Sequence, residues 1–136
     1  AGNAYCVLTA KHNVILSDGQ GTSIKIQTSD GEVHEAIHSK LAPGNVDLAV
    51  LAFESNRFYT IPSINVSPLK KEEKLVVAGF PDADIRKDFS TALVTQGTLD
   101  VQKPSEQGYN FVYKLVNFPT APGMSGGPIL DLTGSL

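Results

Sequence analysis

The segment Pro122-Gly-Met-Ser-Gly-Gly-Pro128 sets one serine among three glycines just ahead of an apolar pair, Ile129-Leu130. A hydroxyl that attacks a carbonyl needs backbone N–H groups aimed at the oxyanion that forms beside it. Residues without Cβ let the chain turn tightly there and let a substrate approach closely. Ser125 is therefore a candidate nucleophile, and a nucleophilic hydroxyl requires a base. Val7-Leu-Thr-Ala-Lys-His-Asn-Val14 offers one, a strand-like run ending in small residues and then His12. Gly44-Asn-Val-Asp-Leu-Ala-Val-Leu51 embeds Asp47 in an apolar run. A buried carboxylate is costly unless hydrogen-bonded, so Asp47 calls for a partner such as an imidazole N–H. Each residue alone has a plainer explanation: a Gly-rich turn with an incidental serine, a structural or exposed loop histidine, a cap at a strand start. Their joint appearance in the order His, Asp, Ser favours shared chemistry.

The elements that must position these residues read as short strands punctuated by Gly, Pro, Asn and Asp, with no pattern for a substantial helix. Expected strands are Tyr5 to Thr9, Ser23 to Thr28 with Ile24 and Ile26 alternating against Lys25 and Gln27, and Glu32 to Lys40 after an Asp30-Gly31 turn. Further runs are Leu48 to Phe53, Leu75 to Phe80, Thr91 to Leu99, Tyr109 to Val116 and Gly127 to Leu130. The class is all-β, a barrel or sandwich. Phe58 to Lys74, with two prolines and the mixed run Lys70-Lys-Glu-Glu-Lys74, reads as a long solvated connection between two halves.

Composition narrows the function. At 136 residues, 41% hydrophobic and 18% charged, the chain can bury a core within one ordinary domain. A formal charge of -3 with no basic cluster beyond Lys70-Lys71 argues against a nucleic-acid partner. Its apolar runs fall far short of the roughly 20 residues that span a bilayer, so no membrane partner is expected. The first residues lack the basic and apolar regions of a secretory signal. The one cysteine, Cys6, reads as a buried inert thiol, which favours a reducing cytoplasm over the alternative of a periplasmic or secreted location after signal removal. No metal or cofactor is expected. His34 and His38 would lie about 13 Å apart along one strand and read as surface residues. Asp82, Asp84 and Asp88 lack the spacing of a calcium loop and read as a solvated turn.

Leu8-Thr-Ala-Lys-His12, Val46-Asp-Leu-Ala-Val50 and Gly123-Met-Ser-Gly-Gly-Pro128 together resemble the three catalytic motifs of trypsin-like serine proteases. The resemblance covers most of the chain. It is closest to compact, disulfide-free bacterial members, cyanobacterial ones included, in which Val76-Val-Ala-Gly-Phe-Pro81 also has counterparts. It implies two antiparallel β-barrels, approximately residues 1–66 with His12 and Asp47 and residues 67–136 with Ser125, and an active site in the cleft between them. It implies serine endopeptidase activity on a peptide or protein, with Ser125 as nucleophile, His12 as general base, Asp47 orienting the imidazole, and the N–H groups of Gly123 and Ser125 as oxyanion hole. The alternative is a module of the same fold that binds a peptide or protein partner without cleaving it.

The chain departs from the family pattern in two ways. Met124 stands where animal digestive members carry an aspartate that pairs with a newly exposed N-terminus, so that activation switch is absent. The chain also starts in the strand leading to His12 and stops shortly after Ser125. The resemblance thus implies a fold truncated at both ends, with Asp131 to Gly134 a hairpin turn into a strand that is cut short. Leu115 to Met124, expected to include the floor of the specificity pocket, holds no charged residue, which favours a small or apolar side chain at the cleavage point over Arg or Lys. The oligomeric state is not legible.

Overall fold

Period-two alternation of apolar and polar residues becomes strand pairing in the described elements. The computed structural model describes residues 2–18, 23–81, 92–103 and 112–136. It divides into two compact units, Ala1–Thr60 and Ile61–Leu136. The first holds β1 (Asn3–Thr9), α1 (Lys11–Asp18), β2 (Lys25–Gln27), β3 (Val33–Glu35), β4 (His38–Leu41) and β5 (Ala49–Ser55). The second holds β6 (Lys74–Gly79), β7 (Leu93–Lys103), β8 (Val112–Val116) and β9 (Ile129–Asp131). Among the described residues the protein is mostly strand with a single short helix, as an all-β class requires.

In the first unit β5 is central. It pairs antiparallel with β1, from Asn3↔Ser55 to Thr9↔Ala49, and on its other edge with β4. Burial of Ala49, Leu51, Phe53 and Ser55 shows the alternation of a strand with one face on the core. β2 and β3 form a separate hairpin through the Asp30-Gly31 turn, where Gly31 takes φ 83°. Val14, Ala49 and Leu51 make the core, with Val7, Ile24, Ile26 and Ala36 packed against it.

The first unit adds one short helix and corrects three expectations. Lys11–Asp18 is helical although it carries no extended amphipathic pattern. It is only eight residues long, and the buried side chain of Val14 holds it to the core. The run expected as one strand from Glu32 to Lys40 is two strands, because the chain changes partner: the Ala36 N–H donates to the Ile24 carbonyl and the next N–H, of Ile37, to that of Ala52. His34 and His38 therefore lie in different sheets. Cys6 is exposed, since the alternation of β1 turns Tyr5, Val7 and Thr9 toward the core and Cys6 and Leu8 away.

His34 is not a surface residue either; its side chain is 13% exposed. It faces the same way as its cross-strand partner Ile26 and lies 4.7 Å, ring to ring, from Phe53. The Tyr59 hydroxyl is within hydrogen-bond reach of Thr28, His34 and Asp30, and Arg57 Nε donates to Glu32 at 2.7 Å. This network fixes the start of the connection against the β2–β3 hairpin.

In the second unit four antiparallel strands run in the order β8-β7-β6-β9. Leu75, Val77, Thr95 and Leu99 line one buried face. The connection ahead of β6 has no regular structure, and Phe58 and Val66 are 90% and 91% exposed. It is nevertheless anchored: Leu136 donates its N–H to Ser63 and accepts one from Asn65. The strand expected from Thr91 begins in the description at Leu93, and the described part of the Tyr109 to Val116 run is Val112–Val116. Asp82, Asp84 and Asp88 lie outside the described residues.

The turn after β9 is built on Asp131. Its carboxylate accepts from the Thr133 hydroxyl at 2.6 Å and from the N–H groups of Thr133 and Ser135 at 2.8 and 3.0 Å. The Thr133 hydroxyl and then the Ser135 N–H hold the Asp131 carboxyl below the usual carboxylate range. Asp30 is held low in the same way, first by the Thr28 hydroxyl. A carboxyl more acidic in the folded than in the unfolded state, where it titrates near about 3.9, supports folding fully above that pH. The support is lost as pH falls through the lowered native value. Asp131→Asn is therefore expected to flatten the fall of unfolding free energy with acidification below about pH 4. Denaturant titrations at several acidic pH values measure this, and slopes identical to wild type would count against it.

Candidate active site

Ala10 stands at the N-cap of α1 and has no side-chain acceptor for the unpaired N–H groups of the first turn. Asp47, brought from between β4 and β5, supplies it. Its Oδ1 accepts the His12 N–H at 2.9 Å, and its Oδ2 lies 2.7 Å from His12 Nδ1. One carboxylate thus closes the helix end and orients the ring. The His12 N–H first, then the ring, hold the Asp47 carboxyl below the usual carboxylate range, with a smaller contribution from the Lys11 N–H. An ionised carboxylate only accepts hydrogen bonds, so in the neutral imidazole the proton sits on Nδ1 and Nε2 is the basic nitrogen.

Asp47 is not buried as its apolar surroundings implied; its side chain is 43% exposed and that of His12 48%. The residues around it are not strand interior but the turn that precedes β5, where Val46 and Leu48 are themselves exposed. Its need for a partner comes from the helix end and the ring rather than from desolvation.

The loop that carries Asp47 is closed at its base by the Ala42 N–H donating to the Leu48 carbonyl at 2.8 Å. Near its start it is held from the helix: Lys11 Nζ donates to the carbonyls of Ala42 and Gly44 at 3.0 and 2.8 Å. Lys11 escaped the sequence reading because nothing in the residue pattern marks which main-chain oxygens a lysine will reach. Val14 is buried, four residues on from buried Ala10, so this face of the helix turns inward and His12 outward.

In the second unit Ser125 lies on two successive tight turns. The Met124 N–H donates to the Ala121 carbonyl, and the Gly127 N–H to that of Met124. The third position of each turn is a glycine with positive φ, Gly123 at 89° and Gly126 at 83°. That is the type II requirement, with Pro122 in the second position of the first turn. Ser125 occupies the second position of the second turn and is exposed. Met124 between the turns is buried, under β6 at Gly79, where a Cβ would stand 3.0 Å from its side chain. A Cβ on Gly127 would come 2.3 Å from the Ala78 carbonyl oxygen, so the chain can lie this close to β6 only with glycine. The structure thus brings together His12 and Asp47 in one unit and Gly123 and Ser125 in the other. Among the described residues no group of three or more His, Cys, Asp or Glu could hold a metal.

The family model for the trypsin-like peptidase domain matches residues 1–136. An inactive form of Rv3671c from M. tuberculosis, a serine-to-alanine mutant, shares the fold with TM-score 0.70 and 23% identity, covering 96% of this chain and 62% of that one. A second structure, of the Rv3671c protease in its inactive form, gives TM-score 0.71 and 20% identity, covering 96% and 64%. The chain therefore spans less than two-thirds of the length of these solved relatives. A search of the curated proteins gave no match. A family model that takes in every residue, on a fold shared with protease structures, settles the kinship: this chain belongs to the trypsin-like peptidase family.

Proposed function

We propose that the chain is the catalytic part of a serine endopeptidase. Its substrate is a peptide or protein, and the family's two antiparallel barrels correspond approximately to residues 1–66 and 67–136. The observation that carries this reading is the double grip of Asp47 on His12, through the main-chain N–H and through Nδ1. It fixes a ring whose other nitrogen is basic, which is the task of the aspartate in a Ser-His-Asp triad. Ser125 Oγ attacks the scissile carbonyl carbon while His12 Nε2 takes its proton. The imidazolium formed is stabilised by Asp47 and returns the proton to the leaving amine. Water, activated by the same nitrogen, then hydrolyses the ester on Ser125. The N–H groups of Gly123 and Ser125 stabilise the oxyanion at each stage, one such donor being worth about 3 kcal/mol.

A fluorophosphonate probe tests this directly, because it reacts with a serine only when a base activates the hydroxyl. Labelling of wild type is expected at Ser125, with labelling of His12→Ala slower by at least about 10³-fold. Equal labelling of both would overturn the triad, and no labelling of either would leave a peptide-binding module that does not cleave.

A further inference from the structure

The first turn of α1 grips the Asp47 loop at two places. His12 holds Asp47 near the loop's end. Lys11, one residue earlier, sends its side chain to the loop's start, where the ammonium donates to the carbonyls of Ala42 and Gly44 at 3.0 and 2.8 Å. Holding a long, flexible side chain in one conformation costs rotamer entropy, and two charge-assisted hydrogen bonds offset it. The Gly44 carbonyl lies three residues before Asp47, so a shift of this part of the loop is passed on to the carboxylate.

We infer that Lys11 is a positioning residue: it sets the height of the Ala42–Leu48 loop against the helix and thereby the contact between Asp47 and His12 Nδ1. The consequence for turnover rests on the reading of His12 as general base, whereas the clamp itself is observable without catalysis. Misplacement of a reacting group by about 1 Å can cost on the order of 10²-fold in rate. Lys11 does not reach the reacting atoms, so its loss affects the transition state through His12 and leaves substrate affinity unchanged.

Lys11→Met keeps the aliphatic stem and removes the donors, whereas Lys11→Arg restores the charge and two N–H groups able to reach both carbonyls. Two measurements are made on each: the pH profile of kcat and KM on one peptide, and the low-field proton NMR signal of the His12 Nδ1–H. Lys11→Met is expected to lower the plateau of kcat by about 10- to 100-fold with KM changed less than about threefold, and to broaden or erase the low-field signal. Lys11→Arg is expected to recover the signal and kcat to within about fivefold of wild type. A mere charge effect on the imidazolium would move the acid limb of the profile to higher pH and leave plateau and signal intact; that result overturns the proposal. A merely stabilising contact would lower Tm and leave both unchanged, which also overturns it. The NMR signal is read in Ser125→Ala protein as well, so the clamp can fail while the triad stands, and the triad can fail while the clamp stands.

Discussion

Replacing Ser125 with alanine is expected to lower kcat by about 10⁶-fold, with KM within about threefold of wild type and the fold intact. Residues around the serine fix the shape of its loop. Met124 buried beneath β6, the positive φ of Gly123 and Gly126, and the close approach of Gly127 to Ala78 do so, and alanine disturbs none of them. The proposed oxyanion donors are therefore expected to survive, leaving a residual rate about 10³- to 10⁴-fold above that in water. A triad acts as a unit, so adding His12→Ala to Ser125→Ala should cost almost nothing further. Single-turnover rates on a peptide library measure both variants. A loss of only tenfold in Ser125→Ala, or a further large loss in the double variant, would remove Ser125 from the nucleophile's role.

Asp47→Asn is expected to cost about 10⁴-fold in kcat, the loss known for this exchange in the trypsin-type triad. Here the two tasks of the carboxylate can be separated. An asparagine can still accept the His12 N–H through its carbonyl oxygen, so the end of α1 remains capped. Its amide nitrogen then faces Nδ1, which must accept rather than donate, and the proton moves to Nε2 where the base is needed. Asp47→Ala removes the cap too and should cost about a further 1 kcal/mol of stability, seen as faster hydrogen exchange in the first turn of α1. If Asn and Ala variants lose activity and stability in parallel, the carboxylate is structural and the tautomer argument fails.

How far the residues could be read in advance depended on whether the interactions were local. The β2–β3 hairpin was legible because Asp30-Gly31 is a local turn signal between alternating runs. The family was legible because three short motifs carry it. The need of Asp47 for an imidazole partner was anticipated, but on the wrong physics: the carboxylate is half exposed, and a helix end rather than burial draws it to His12. That helix was itself missed, being only two turns long, with Val14 as its one buried side chain among those described. The break between β3 and β4 depends on which strand each N–H meets, and the reach of Lys11 on the fold of a loop more than thirty residues away. Neither is written in local sequence.

The pairing of β1 with β5 joins Asn3 to Ser55 and Thr9 to Ala49, while the hairpins β2–β3 and β4–β5 close between near neighbours. Loop-closure entropy makes such distant pairing slow, so the hairpins are expected to form first and β1 to dock last. His12 lies three residues after the end of β1 and Asp47 two before the start of β5, so the two meet only when that docking is complete. On a growing chain β1 and the helix bearing His12 emerge before β5 and must wait for it before the imidazole has an acceptor. Order of assembly thus acts as a timer, withholding an oriented imidazole until the unit around it has closed.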